Sequence, residues 1–446
     1  MRVCGVYFVF VILLSACTNG VSHLDIALQQ AKHNKAELEK VLKHFKHDSL
    51  KYRAACFLIE NMPGKYSILP YDSLDRYKNF LKIIPQNDPI SWDVRYSKIW
   101  HGFDSISKRQ LAGFSKIEDI KVITGDYLIK NIEYAFKIWE NGKIKDYCSF
   151  DEFCHYILPY RIDHEPLSNW REEGFQKFGH LLDSLMSPRE LALRIIKLGG
   201  MRYNIGMTKY PYKQSYVEML QTRWGTCDDM AAFLALSLRA IGIPASIDYV
   251  PAWANRSSSH CWNVVKDATG DFIEVGYGPE GKNEVVYKIS KIYRKKYDIP
   301  LCDVTSEYAM PLSDLTFRVP SQKDKQLISL CTFNNHDWVP VALSKVMNGS
   351  VLFESVGRGI LWGDNQIRTY LNEGKGIVFL AFISQNGRLN NKPIGFPIIL
   401  LEDGTIKELC ASTEKESIIL YRKYPYYGSN NAIIPVSYTH LRAHET

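Results

Sequence analysis

The segment between Gln221 and Pro244 limits the possible folds most, because it predicts a buried helix with a defined start and end. Side chains suited to a core recur every three or four residues along it, as expected for one helix face. They are Met230, Phe233, Leu234, Ser237, Leu238 and Ile241. Gly242 can adopt the backbone conformation that ends a helix, and Pro244 prevents its continuation. The helix should therefore begin near Thr226 or Cys227.

A cysteine at the start of this helix has chemical consequences. The free N–H groups and the positive dipole end of a helix favour a thiolate over a thiol. Asp228 and Asp229 suit the helix dipole in the first turn, but they oppose a second negative charge beside them. An imidazolium would supply the missing stabilisation, and His260 begins the predicted strand that also carries Trp262. Cys227 and His260 are thus a candidate nucleophile and base, although a core histidine beside a tryptophan would give the same pattern.

Three short motifs, taken in order, resemble the transglutaminase-like superfamily, whose papain-like core is shared with cysteine peptidases. They are Gly225-Thr226-Cys227, Gly242-Ile243-Pro244 and His260-Cys261-Trp262-Asn263-Val264-Val265. The resemblance implies a Cys227 nucleophile, a His260 general base and acid, and an orienting acid on the next strand. At the acid position this chain has Gly276, so we predict that Glu274 takes that role, with Asp271 as a weaker candidate.

Further site residues follow from the same resemblance. The oxyanion hole is expected to use the backbone N–H of Cys227 and Gln221, which lies six residues upstream, as in papain-like peptidases. A surface-loop glutamine would show the same spacing. The residues expected to line the cleft or contact substrate are Trp224, Trp253, Asn255 and Trp262.

The N-terminus predicts a lipid anchor. Residues 1–17 carry one early arginine and an apolar run that ends in Leu14-Ser15-Ala16-Cys17, which resembles the lipobox of bacterial lipoproteins. We expect cleavage before Cys17 and lipid attachment to it, which would anchor the protein in the bacterial cell envelope, on a periplasmic or outer-surface face. An ordinary signal peptide is the alternative. The chain as a whole resembles lipoprotein members of the superfamily from Bacteroidota.

The remaining sequence predicts an α+β protein. Its parts are a helical N-terminal region (18–190), a papain/transglutaminase-like core (191–300), a β-sandwich-like C-terminal domain (301–435) and a tail (436–446). Capping signals at Asn34, Ser149 and Ser187 predict helix starts, and Asn386-Gly387 and Asp403-Gly404 predict hairpins. The tail resembles a translated sequencing adapter, so it carries no functional weight and the β-rich domain is expected to be truncated.

Composition narrows the function. The net charge of +7 is spread without a dense basic groove, so no nucleic-acid partner is expected. Setting aside Cys4, Cys17 and Cys227 leaves seven of the ten cysteines, an odd number that disfavours a disulfide framework. No paired cysteine and histidine motif predicts a metal, and no cofactor is expected.

The predicted function is that of a thiol enzyme acting on peptide or carboxamide bonds, with a peptide or protein as substrate. Hydrolysis is favoured over cross-linking, because nothing in the sequence marks a site for an acceptor amine. The alternative is a lipid-anchored binding or scaffold protein that has lost catalysis. A glycan contact by the C-terminal domain is suggested only by its β-rich pattern and aromatic content.

Overall fold

A computed structural model describes most of the chain between residues 22 and 410. The described residues are 22–68, 116–141, 143–183, 185–203, 213–254, 258–278, 287–299, 301–319, 324–334, 337–358, 376–385 and 388–410. Cys17, Asn255, the Asn386-Gly387 turn and the 436–446 tail lie outside them. None of the helices within these ranges has both the length and the apolar character to cross a membrane.

The fold is α+β, as predicted, with helices dominating up to residue 240. The helices are α1 (His23–Ala31), α2 (Lys35–Phe45), α3 (Ser49–Glu60), α4 (Gly125–Asn141), α5 (Phe150–Tyr156), α6 (Trp170–Phe178), α7 (Pro188–Gly199), α8 (Tyr216–Thr222) and α9 (Cys227–Ala240). Ser149 and Ser187 form the predicted capping boxes of α5 and α7. Asn34 makes no capping bond, because its amide donates to the carbonyls of Ile120 and Ile123 instead.

Nine short strands lie between residues 66 and 303 in the described part of the chain. They are β1 (Tyr66–Ile68), β2 (Lys116–Glu118), β3 (Arg202–Tyr203), β4 (Trp224–Gly225), β5 (Ala245–Val250), β6 (His260–Lys266), β7 (Phe272–Val275), β8 (Tyr293–Arg294) and β9 (Cys302–Asp303). The last five form one antiparallel sheet in the order β7-β6-β5-β8-β9. Val250 pairs with His260, so the loop that joins β5 to β6 ends directly at His260.

Helix α9 is the central element of this part of the molecule. It packs against β5 and β6 and also against α6, α7 and α8. Every residue from Asp229 to Ala240 is buried, so the predicted one-sided apolar stripe was too narrow. The reason is that the N-terminal helices cover the side of α9 that the sheet leaves open. One continuous apolar core therefore extends from Ala27 in α1 to Tyr297.

The C-terminal part is a two-sheet β structure, as predicted. Its strands are β10 (Leu312–Arg318), β11 (Leu327–Asn334), β12 (Asp337–Lys345), β13 (Ser350–Gly357), β14 (Ile377–Gln385), β15 (Arg388–Leu400) and β16 (Ile406–Glu408). An antiparallel sheet of order β12-β11-β14-β15-β16 shares an apolar core with the β10-β13 pair. The predicted turn at Asp403-Gly404 joins β15 to β16, with Gly404 at a φ of 93°.

Candidate active site

Cys227 is the first residue of α9, as the sequence predicted, because Thr226 caps the helix. The Thr226 hydroxyl accepts a hydrogen bond from the Asp229 N–H at 3.4 Å. The Asp229 carboxylate in turn accepts from the N–H and the hydroxyl of Thr226, each at 2.9 Å. This capping box fixes the direction in which the chain enters the helix. It uses the N–H of Asp229, and the N–H groups of Cys227 and Asp228 precede it at the same helix end, beside the sulfur.

Gly225 lets the chain approach α9 closely before the cysteine. A Cβ atom built at this position would clash with the Cβ of Asp229, whose side chain closes the capping box. Two residues before Gly225, Arg223 has a left-handed φ of 55°. Its N–H donates to the Met219 carbonyl at the end of α8. The turn before Cys227 is therefore set by steric contact as well as by hydrogen bonds.

Strand β6 brings a histidine and a second cysteine to the start of α9. The Asn263 amide donates to the Ala231 carbonyl at 2.8 Å, so β6 lies along the first turns of the helix. Cys261 directly precedes Trp262 in β6, and its buried thiol lies 3.5 Å from Oδ1 of Asp228. Sequence reasoning passed over Cys261, although its strand position on the face opposite His260 and Trp262 was the available signal.

The surroundings of Cys227 favour its thiolate. A hydrogen bond from the Cys261 thiol and a further one from the His260 ring lower the pKa of Cys227 to about 6, against the opposing effects of burial and of the Asp228 charge. The same contact with the Cys227 sulfur, together with burial, raises the pKa of Cys261 well above its usual value. These contacts therefore favour the thiolate at Cys227 and the thiol at Cys261.

Two lysines add positive charge next to this pair. The Lys213 ammonium lies 3.5 Å from Oδ2 of Asp228, and Lys295 pairs with Asp163 at 3.0 Å. Burial acts to raise the pKa of Asp228, but Lys213 and Lys295 outweigh it and hold that pKa below its usual value. Within the described ranges, Cys227, Asp228 and Cys261 alone form a group with ligand atoms suitable for a metal, all within 4.8 Å of one another. The neighbouring ammonium groups disfavour a cation there.

Aromatic rings surround His260. The Trp253 ring stacks on it at 5.7 Å between centroids with a 23° interplanar angle, and the Trp262 ring lies at 5.9 Å and 37°. Trp262 is itself fixed, because its indole N–H donates to the Tyr308 hydroxyl at 2.9 Å and that hydroxyl donates to Asp248 at 2.7 Å. Two of the three tryptophans predicted to belong to the site, Trp253 and Trp262, thus lie at His260, where they restrict the orientation of its ring.

Glu274 does not lie where an acid that orients His260 would have to lie. It pairs with Val264 in the β6–β7 ladder, four residues along β6 from His260, which corresponds to about 13 Å of strand. Burial and the charge of Asp248 raise the pKa of Glu274 to about 7. The prediction identified the correct strand face, since alternate residues share a face, but it misjudged the position along the strand. Asp271 lies farther still, in the turn beyond the distant end of β6.

Gln221 and Trp224 occupy different environments. Gln221 is exposed on the last turn of α8, and its oxyanion role stays a prediction. Trp224 is buried in β4 beneath the guanidinium of Arg202, 5.7 Å from the ring centroid. A different glutamine, the buried Gln214, fixes this strand by donating to the Trp224 carbonyl at 2.7 Å. Trp224 is thus buried in the strand just before the turn into α9, and the cleft-lining role expected for it stays a prediction.

The C-terminal domain fixes the loop that carries Trp253. Asn334, at the end of β11, donates to the carbonyls of Trp253 at 2.8 Å and Ser258 at 3.0 Å, and it accepts from the Ser258 N–H at 3.1 Å. Ser258 has a φ of 105°, a conformation that side-chain-bearing residues rarely adopt. These three bonds hold Trp253 and the strained Ser258 in place directly before His260.

Loss of the Asn334 side chain is expected to disturb the site from a distance. Asn334→Ala should remove three hydrogen bonds and destabilise the fold by about 1–3 kcal/mol. It should also slow alkylation of Cys227 at pH 7, because Asn334 holds Trp253, whose ring stacks on His260. Thermal unfolding and iodoacetamide kinetics would measure the two effects. Asn61→Ala, which removes an amide bond to the Phe57 carbonyl in α3, is the control and should affect stability alone.

Comparison with known proteins adds one family match. Residues 180–276 match the family model of the transglutaminase-like superfamily, which confirms the resemblance predicted from the motifs around Cys227 and His260. No curated protein matches the chain. Among solved structures, the chain is similar to a candidate cysteine protease from Cytophaga hutchinsonii, at 12% identity over 51% of this chain and 53% of that one. The TM-score is 0.20, so nothing further is inferred from that likeness.

Proposed function

We propose that this protein is a thiol enzyme that attacks peptide or carboxamide carbonyl groups through Cys227, with His260 as its base and acid. The observation that carries the proposal is that Cys227, at the start of α9, meets His260 and Cys261 at the start of β6, whose hydrogen bonds lower the pKa of Cys227 to about 6. A structural cysteine in a core shows the opposite shift, as burial raises the pKa of Cys154 to about 12. The transglutaminase-like match of residues 180–276 supports the same chemistry.

The proposed reaction follows from these groups. The Cys227 thiolate adds to the substrate carbonyl carbon, and the developing oxyanion meets the unsatisfied N–H groups of the first turn of α9. The C–N bond breaks as His260 gives a proton to the leaving amine, which leaves a thioester on Cys227. Water, deprotonated by His260, then hydrolyses the thioester and restores the thiolate. We favour water over an acceptor amine, in keeping with the sequence-based prediction.

Glu274 does not supply the acid of a triad, because the β6–β7 register pairs it with Val264 rather than with His260. We propose that the stacked Trp253 ring and the tilted Trp262 ring both restrict the orientation of the His260 ring. A protein that only binds or scaffolds a partner is the competing proposal, and the misplaced Glu274 is the observation in its favour. Anchoring through Cys17, proposed from the lipobox, is compatible with either function.

The reactivity of Cys227 with iodoacetamide should follow its lowered pKa. Because the thiolate is the reactive form, the alkylation rate should rise with pH through a midpoint near pH 6. It should reach its plateau by neutral pH, where most of Cys227 is ionised. Buried Cys148 and Cys154, with pKa values raised to about 12, should react only in strongly alkaline solution. Peptide mapping after timed alkylation gives each rate separately. Equal rates at pH 7 for Cys227 and the partly exposed Cys410 would contradict the proposal.

A simple activated ester tests the acyl-transfer step without knowledge of the natural substrate. With p-nitrophenyl acetate, a burst of p-nitrophenolate should accompany acetylation of Cys227, followed by slower steady hydrolysis. Dimethylcasein with dansylcadaverine then separates the two outcomes of the second step: new amino termini indicate hydrolysis, and fluorescent casein indicates transfer to an amine. Acetylation of Cys227 no faster than that of Cys410 would favour the binding or scaffold function.

A further inference from the structure

A second thiol lies beside the proposed nucleophile, and the proposed acyl-transfer steps form no bond to its sulfur. The sulfur atoms of Cys227 and Cys261 and a carboxylate oxygen of Asp228 all lie within 4.8 Å of one another. The described residues contain eight free cysteines, and these two meet from different elements, the first residue of α9 and the second residue of β6. We propose that Cys227 is a site of reversible peroxide modification, with Cys261 as the thiol that resolves it into a Cys227–Cys261 disulfide.

The two sulfurs differ in access, which sets the order of events. Cys227 is half-buried, whereas the side chain of Cys261 is buried, with only 5% of its surface exposed to solvent. A small oxidant arriving from solvent therefore meets Cys227 first. Cys227 is also the member of the pair that exists as a thiolate near neutral pH, and thiolates are the form that peroxides oxidise. Cys261 stays protected until the sulfur next to it has been oxidised.

The chemistry balances with hydrogen peroxide as the named oxidant. The Cys227 thiolate attacks one peroxide oxygen, the O–O bond breaks, and sulfenic acid and hydroxide are formed. The Cys261 sulfur then attacks the sulfenic sulfur, an S–S bond forms, and the sulfenic oxygen leaves as water. Asp228, with Oδ1 at 3.5 Å from the Cys261 sulfur, is placed to accept the thiol proton as that attack begins. In total, two thiols and one peroxide give one disulfide and two waters.

The distance to be closed is small. A disulfide bond is about 2 Å long, so sulfurs at most 4.8 Å apart need an approach of under about 3 Å. Cys227 is a half-buried residue at a helix start, and we propose rotation about its Cα–Cβ bond as the movement that closes this distance. The disulfide would remove the nucleophile from acyl transfer and shield it from irreversible oxidation to the sulfinic acid.

The test uses the full chain without any acyl substrate, so its failure and that of the proposed function are distinguishable. Fully reduced protein receives one equivalent of hydrogen peroxide, remaining thiols are blocked with iodoacetamide, and peptides are mapped by mass. We expect a peptide pair cross-linked through Cys227 and Cys261 that dithiothreitol separates. Sulfinic acid on Cys227 with Cys261 alkylated, or a cross-link from Cys227 to another cysteine, would overturn the proposal.

A variant pair sharpens the result. In Cys261→Ser, the Cys227 thiol recovered by dithiothreitol after peroxide should fall by about fivefold or more, because sulfenic acid without a resolving thiol proceeds to irreversible forms. Cys410→Ser, which removes a partly exposed cysteine in the C-terminal domain, should recover like the unmodified chain. Equal recovery in Cys261→Ser and Cys410→Ser would overturn the proposal. If Cys261→Ser unfolds at a lower temperature than the parent chain, the cross-link map of the parent protein decides.

Discussion

Replacement of Cys227 by alanine is expected to abolish the acyl burst with p-nitrophenyl acetate and to lower steady hydrolysis by on the order of 10³-fold or more. The physical reason is that no other described nucleophile both occupies the start of α9 and contacts His260. Cys227→Ser tests the same point more strictly. It keeps an oxygen nucleophile of similar size, but a serine hydroxyl is not ionised by the groups that ionise this thiol.

The control for this prediction is Cys410→Ala, because Cys410 is a partly exposed cysteine in the C-terminal domain. Its burst amplitude should equal that of the parent chain. The fold should tolerate Cys227→Ala, since alanine is a good helix former and the capping box of Thr226 and Asp229 stays intact. Retention of a full burst in folded Cys227→Ala would show that the ester reacts elsewhere, and the proposed nucleophile would be wrong.

Replacement of His260 by glutamine should give the second large effect. Without the imidazole, the pKa of Cys227 should rise from about 6 toward that of an ordinary thiol. The thiolate fraction at pH 7, and with it the alkylation rate, should fall by about tenfold if the pKa reaches about 8. Acyl turnover should fall further, by on the order of 10²–10⁴-fold, because the leaving amine also loses its proton donor.

The sign of the pH dependence separates this role from a merely structural one. A raised pKa means that reactivity is lost at neutral pH and regained in alkaline solution, where the Cys227 thiol ionises without His260. A variant that had only distorted the site would stay slow at every pH. His180→Gln, at an exposed histidine after α6, is the matched control and should keep the midpoint near pH 6. An unchanged midpoint in His260→Gln would contradict the proposed hydrogen bond.

The sequence predicted well those features that depend on neighbouring residues. The start of α9 at Cys227 follows from the Thr226 cap and its Asp229 partner three residues on, and its end follows from Gly242 and Pro244. The strand that begins at His260 was also predicted, as was the β-rich C-terminal region. Each of these signals lies within a few residues of the feature that it specifies, so no knowledge of packing was needed.

The errors share a different cause. Glu274 was placed near His260 because period-two alternation reports the strand face but not the register with β6, and the register pairs it with Val264. The buried face predicted for α9 was too narrow, because the sequence of the helix does not indicate that α6 and α7 cover its other side. The contact of Asn334 with Trp253 joins residues separated by 81 positions, which local patterns do not connect.

The sequence by itself thus determined that a cysteine begins a helix and that a histidine begins a strand, because capping, glycine and proline signals act over one or two helical turns. Only the tertiary structure decided which groups meet the sulfur. The thiol of Cys261, the ring of His260 and the carboxylate of Asp228 shift the pKa of Cys227 through contacts of a few ångströms. Electrostatic and hydrogen-bonding effects of this size depend on distance in space, and the packing of β6 against α9 sets that distance.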